Sequence, residues 1–137
     1  MVCYQTIEQR HLPGVIDICR AEGWKGYAED AERTWAALTA PGVTTVVAVE
    51  NEEVAGFAQM MSDGHIQAFL SAVCVSPAHR RKGIGRRLID EAFARAGGIR
   101  VDLTTDSADE FYQSFRHRRF SGYRIYPQAG ESPESAT

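Results

Sequence analysis

The stretch 70–96, LSAVCVSPAHRRKGIGRRLIDEAFARA, constrains the chain more than any other. Its first part, Ala72-Val73-Cys74-Val75, is an apolar run with β-branched residues and reads as a buried strand. Pro77 ends that strand, because it has no N–H to give to a ladder. A basic turn, Arg80-Arg81-Lys82, leads to Gly83-Ile84-Gly85, where a helix opens. Ile84, Leu88, Ile89, Ala92, Phe93 and Ala96 then fall along one helical face. Arg86 with Asp90 and Arg87 with Glu91 stand at i,i+4 spacing on the opposite face. The unit is a strand, a glycine turn and a helix whose first turn nothing covers.

A helix start of this kind suits a phosphate. Its first N–H groups have no partner within the helix and sit at the positive end of the dipole. Glycines at 83 and 85 leave no Cβ to hold a pyrophosphate away from the backbone. Five Lys or Arg and no acid lie between positions 79 and 87, in a chain of formal net charge -3. The positive charge is therefore local. The same features also describe a solvated basic helix start. A nucleic-acid partner fits poorly, since the overall balance is acidic and the basic run is short.

Val75-x-Pro77-x-x-Arg80-x-x-Gly83-x-Gly85 resembles the acetyl-CoA motif of the GCN5-related N-acetyltransferases. The family pattern is Arg or Gln, two residues, Gly, one residue, then Gly or Ala, after a strand. The resemblance implies that Arg80, Arg81, Lys82, Gly83, Ile84, Gly85, Arg86 and Arg87 form the turn that holds the CoA pyrophosphate through backbone amides. It implies also that the strand edge at Val73, Cys74 and Val75 pairs with the pantetheine arm. Acetyl-CoA is then the cosubstrate, with no metal.

The 137 residues, 44% hydrophobic and 24% charged, suffice for one domain with an adequate core. No apolar run approaches the ~20 residues of a membrane span, and no secretory segment opens the chain. Cys3, Cys19 and Cys74 are an odd count at wide spacing, which suits neither a disulfide framework nor a zinc site. The expected compartment is the cytoplasm.

Residues 2–7 read as a short first strand. Leu12, Val15, Ile16 and Cys19 give a helical face, with Pro13 in the first turn and Gly23 as a stop. A second helix is expected over 29–39, with Pro41-Gly42 beyond it, and a glycine-rich loop with Trp24 and Tyr27 between the two. Strands are expected at 43–50 and 54–61 around the turn Asn51-Glu52, with Gly56 marking a bulge or a close backbone approach. Asp63-Gly64 signals a hairpin into a strand at 66–75. After the helix, Gly97-Gly98 precedes a strand at 99–104 that the crossover makes parallel to its predecessor. A short helix over 107–117 and a terminal strand near 123–126 follow. The fold class is α/β (α+β): one domain, 1–127, with a mostly antiparallel mixed sheet. Residues 128–137 have a disordered composition. In the family that the motif resembles, two helices precede the meander, and the CoA arm enters where the fourth and fifth strands splay apart.

Thr105-x-x-Ala108-x-x-Phe111-Tyr112 resembles the family's second signature, with Thr105 standing where Asn is usual. That implies a pantetheine contact for Thr105, and for Tyr112 the role of general acid to the departing thiolate. A phenol near pKa 10 is protonated at neutral pH and able to give up a proton as the C–S bond breaks. Packing of Phe111 and Tyr112 against the sheet is the competing reading. The general base stays open among Asp63, His65, Asp102 and none, since the strand at 66–75 holds no acid. Glu22, Glu29, Asp30 and Glu32 surround Trp24, Tyr27 and Trp35, a combination suited to a cationic amine, or to helix starts that favour acids.

The expected activity is transfer of acetyl to a primary amine of a small molecule. The alternatives are a protein lysine or N-terminus as acceptor, and a non-catalytic acyl-CoA-binding module that regulates a partner. The short ordered chain after Tyr126 leaves a sheet edge, for which a homodimer is expected.

Overall fold

Strands at 43–50 and 53–62 are apolar on both sides, so the sheet they form needs cover on both faces. The computed structural model, which describes residues 1–127, supplies it. Its first part, Met1 to Asp102, holds five strands in spatial order β1-β2-β3-β4-β5. These are β1 (Cys3–Thr6), β2 (Val43–Glu50), β3 (Glu53–Ser62), β4 (Gln67–Val75) and β5 (Arg100–Asp102). The first four pair antiparallel and β5 runs parallel to β4. This is the expected α/β sheet and strand order.

One face is covered by α1 (Leu12–Glu22), α2 (Lys25–Ala28) and α3 (Ala31–Leu38). Leu12, Val15, Ile16, Cys19 and Leu38 pack there on Val47, Phe57, Ala72 and Cys74. The other face is covered by α4 (Ile84–Ala96), whose Ile84, Leu88, Ile89 and Ala92 are buried. Gly23 ends α1 at φ 82°, a left-handed C-cap. The expected loop between the first two helices contains the single turn of α2. The next helix starts at Ala31, because the Asp30 carboxylate accepts the Arg33 N–H at 3.0 Å and fixes the N-cap.

Gly56 has both properties its place in a strand suggests. The β2–β3 register slips beside it, with Ala48 facing Gly56 and Val49 facing Val54. A Cβ built on Gly56 would lie 2.8 Å from the Cys74 carbonyl oxygen and 3.1 Å from Leu88 Cδ1. The missing side chain lets β4 and α4 both come close to β3.

The second part begins at Leu103 and is described by itself. It contains α5 (Asp109–Gln113), shorter than the helix expected over 107–117. The expected strand near 123–126 does not form. Tyr123 and Ile125, the side chains that would anchor it, are 87% and 89% exposed, so the segment has no buried face to hold it extended in a ladder. Gly122 instead approaches Thr104, whose Cγ2 would stand 2.6 Å from an added Cβ. The strand expected at 99–104 is likewise trimmed to Arg100–Asp102. Residues 128–137 lie outside the described chain. Among the described residues no helix is long and apolar enough to cross a membrane.

Two predictions come from this packing. Gly56→Ala forces a methyl group against a carbonyl and a leucine, and should lower stability by about 1–3 kcal/mol, read as a lower urea midpoint. Burial pushes the Cys19 thiol up to about 12 and the Cys74 thiol up to about 11. The folded chain then keeps protons that the unfolded chain loses near pKa 8.5, so stability is whole below that pH and falls as pH rises. Melting temperature should stay level from roughly pH 7 to 8.5 and decline above it. The decline between roughly pH 9 and 10 should be shallower in a Cys19→Ala, Cys74→Ala protein than in wild type.

Candidate active site

Where β4 leaves β5, the sheet opens. The two strands pair only through Gln67 with Arg100, Ala68 with Val101 and Phe69 with Asp102. From Leu70 onward no strand among the described residues pairs with that edge of β4. Val73, Cys74 and Val75 therefore lie on an edge whose peptide groups have no ladder partner. On its other side β4 carries an irregularity: Gln59 faces Ala72 and Met60 faces Leu70, which leaves Ser71 as the extra residue of a bulge.

Past Val75 the chain makes a 3-10 turn, Pro77–His79, and enters the basic turn. His79 shares a 2.6 Å hydrogen bond with the Ser76 hydroxyl and lies 3.6 Å from Glu50, so it is tied to the end of the strand. Arg80 donates through Nε to the Val75 carbonyl and through Nη2 to Glu22, each at 3.0 Å. Its side chain braces the turn. Arg81 has φ 64° and Gly83 φ 78°, two left-handed residues separated by Lys82. Turns of successive backbone N–H groups are a common way to make anion-binding concavities. Gly83 is the N-cap of α4, and no side chain caps that helix. A Cβ on Gly83 would meet nothing within 4 Å, so the space beside the cap is open.

The cations of the turn divide into two sets. Arg81, Lys82 and Arg86 are exposed. Arg87 is drawn along its helix: Nε is 2.9 Å from Glu91, the guanidinium lies 4.9 Å over the Tyr4 ring, and its N–H bonds to the Gly83 carbonyl at 3.2 Å. Gly85 sits in the first turn of α4 just after Ile84, which is buried.

On the helical face, Glu22 at the end of α1 reaches across to β4. Its Oε2 is 3.7 Å from Cys74 Sγ as well as 3.0 Å from Arg80. Cys74 faces Phe57 across the ladder. The Phe57 ring is 6.4 Å from both Trp24 and Tyr27, which are 5.9 Å apart. Tyr27 donates to Gln59 at 2.5 Å, so its hydroxyl is fixed. Of the acids grouped with these aromatics in sequence, Glu22 alone makes a contact with β4. Glu29 and Glu32 are exposed, and Asp30 caps α3.

The candidate bases sit apart from one another. Asp63 accepts the N–H groups of His65 and Ile66 at 2.7 Å each, and the Ile66 bond above all holds its carboxyl below the usual range. It is a turn-former and a weak base. His65 is exposed on that hairpin. Asp102 accepts from Gln67 Nε2 at 2.8 Å and lies 3.5 Å from Arg100, beside the last β4–β5 pair.

In the second part, the Thr105 hydroxyl accepts the Ala108 N–H at 3.0 Å and so shapes the entry to α5. Phe111, Tyr112 and Phe115 form an aromatic cluster, with ring centroids 4.9, 5.2 and 6.2 Å apart. Burial pushes the Tyr112 phenol up to about 12, so it is protonated at neutral pH. Reasoning from sequence did not single out Ser71, nor the link from Glu22 to Arg80 and Cys74. The one signal for Ser71 is a hydroxyl placed inside the apolar run LSAVCV.

Similar solved structures share this fold over nearly the whole chain. A transcriptional regulator from Bacillus halodurans is 20% identical with a TM-score of 0.76, covering 92% of this chain and 99% of its own. An acetyltransferase of the GNAT family from Streptococcus pneumoniae is 22% identical at TM-score 0.71, covering 93% and 99%. AAC(6')-Iy, solved with the bisubstrate analog CoA-S-monomethyl-acetylneamine, is 20% identical at TM-score 0.70, also covering 93% and 99%. By sequence, the uncharacterized protein ML0378 of Mycobacterium leprae is 33% identical over 87 residues, 58% of this chain. The match spans about a quarter of that relative, 24% of its length. Residues 41–116, more than half of the chain and all of it from β2 through α5, match the family described as the acetyltransferase (GNAT) domain, and the chain belongs to that family.

Proposed function

We propose that this protein transfers acetyl from acetyl-CoA to a primary amine of a small molecule, by direct attack of the amine on the thioester. The observation that carries the reading is the open β4 edge from Leu70 to Val75, which runs into an uncapped, basic helix start. Acetyl-CoA supplies the activated acetyl group. Backbone N–H groups around Gly83, Ile84 and Gly85 receive its pyrophosphate, and Arg81, Lys82 and Arg86 offset the charge. Val73, Cys74 and Val75 offer peptide groups to the pantetheine arm. Arg80 serves by bracing the turn between Val75 and Glu22.

A cationic acceptor is supported by the part-exposed Glu22 carboxylate, which Arg80 shares, and by the part-buried rings of Trp24 and Tyr27 in the same region. The neighbour solved with an acetylneamine analog supports a small amine as acceptor. No strong base is needed for an amine already partly neutral at the working pH, which suits the weak basicity of Asp63.

Tyr112 is the proposed general acid, supported by its place in the second signature, and Thr105 a pantetheine contact. Proton transfer from a phenol at about 12 to a thiolate of pKa near 8.5 is uphill by roughly 5 kcal/mol. Tyr112 therefore acts first as a hydrogen-bond donor to the departing sulfur, and the proton moves only as the thiolate is shut away from water. We place the protein in the cytoplasm. We also propose a homodimer, since β5 ends the sheet with only three residues and has no strand on its outer side among the described residues.

Thiol release from acetyl-CoA across a panel of amines tests the reading. Turnover with small amines supports it. Turnover with peptide N-termini or lysines alone moves the acceptor to protein, and binding without turnover leaves an acyl-CoA-binding module. Gly85→Val puts a branched side chain in the first turn of α4, where phosphate must approach, and should weaken acetyl-CoA binding about tenfold or more, read by calorimetry on a variant whose circular dichroism matches wild type. Tyr112→Phe should lower kcat about 10²-fold, the low end for a general acid, with acetyl-CoA affinity within about threefold of wild type by a binding isotherm.

A further inference from the structure

We infer that the Ser71 hydroxyl donates a hydrogen bond to the carbonyl oxygen of the bound acyl group, a role that rests on the acetyl-transfer reading above. Among the described residues, Ser71 Oγ is the one buried side-chain oxygen or nitrogen without a hydrogen-bond partner. A buried polar group normally finds a partner, and leaving one unmet costs stability. Leu70 and Ala72 on either side are buried and apolar. An alanine there would pack without the cost.

Its place in the fold says what the missing partner is. Ser71 is the extra residue of the β4 bulge, so it alone of the strand's middle residues faces no residue of β3. The bulge lies two residues past Phe69, the last position that β5 pairs. The orphaned hydroxyl and the opening of the sheet therefore coincide. The bulge interrupts the strand's alternation, since Ala72 faces Gln59 and Leu70 faces Met60, consecutive residues that point to opposite faces of the sheet, and Ser71 stands at the change.

The distance from the turn also fits. Ser71 lies four residues before Val75, which is about 13 Å of strand. A pantetheine arm fixed by its phosphates at the Gly83 turn and laid along the β4 edge spans a comparable length. Its thioester end then falls at the bulge. In the reaction the amine nitrogen forms a bond to the carbonyl carbon and the C–S bond breaks, with its electron pair leaving on sulfur. The nitrogen loses a proton to solvent and the sulfur gains one. Negative charge builds on the carbonyl oxygen between those events, and a donor already in place there stabilises it without reorganisation.

The test uses Ser71→Ala and Ser71→Thr in the full chain. Ser71→Ala should bind CoA itself within about threefold of wild type, while kcat with an active amine drops about 10²-fold. The infrared carbonyl band of bound, carbonyl-labelled acetyl-CoA should move to higher frequency in Ser71→Ala than in wild type, and Ser71→Thr should return band and rate toward wild type. An unchanged band and an unchanged kcat in Ser71→Ala would overturn the inference and assign the hydroxyl to a buried water. If wild type binds acetyl-CoA and turns over amines, that failure concerns Ser71 alone. If wild type does neither, the acetyl-transfer reading falls and this role falls with it.

Discussion

The close approach at Gly56 governs how the site is assembled. Because β3 has no side chain there, the Cys74 carbonyl and the Leu88 methyl group both close on its backbone. That contact seats α4 against the sheet one turn after the helix begins. The helix start is thereby held next to the end of β4, with only the short basic turn between them. A glycine N-cap in place of Ser, Thr, Asn or Asp forgoes only about a few tenths of a kcal/mol. Burial of Ile84, Leu88 and Ile89 offsets this, at ~1.5–3 kcal/mol for each large side chain. Packing, not capping, holds α4 in place, and its first N–H groups stay available.

The charges of the turn do two jobs in different directions. Arg80 points inward, to Val75 and Glu22, while Arg81 and Lys82 point out. The Arg80–Glu22 pair is part exposed, 48% and 38%, so it adds at most about 1 kcal/mol to stability. Its consequence is positional. It fastens the end of α1, which carries the proposed acceptor contact, to the turn that carries the proposed phosphate contact. Arg87 belongs to neither set, because Glu91 and Tyr4 hold it along α4.

Most of this fold is legible in the sequence because its signals are local. The period of Leu12, Val15, Ile16 and Cys19, the glycine after α1, the Asp63-Gly64 turn and the strand before Pro77 each act within a few residues. The turn motif is legible for the same reason, since Gly83 and Arg81 adopt left-handed conformations that the local chain decides. What was not legible depends on distant partners. A strand at 123–126 has the right alternation, yet no packed surface receives Tyr123 and Ile125. Thr105 binds the Ala108 N–H and helps start α5 late, which propensity alone does not foresee. The bulge at Ser71 is set by register against Gln59 and Met60, and nothing within β4 announces it. Glu22 reads as one of four equivalent acids until the fold carries it to Cys74 and Arg80.

Four departures from local rules meet on β4 and the turn that follows it. Arg81 holds a left-handed φ that costs a side-chain residue roughly 1–3 kcal/mol. The helix after it lacks a cap. One edge of β4 has no partner beyond Phe69, and Ser71 holds a hydroxyl with nothing to bond. All four lie between positions 70 and 84, on β4 or just beyond it; of the four kinds, all but the orphaned hydroxyl also occur elsewhere, at the left-handed Asn51 and Glu52, at the starts of α1 and α2, which no side chain caps, and on the outer edge of β1. No one of them marks a site, and it is their meeting on one strand and its exit that supports the proposed surface for a ligand that accepts hydrogen bonds along its length and carries negative charge at one end.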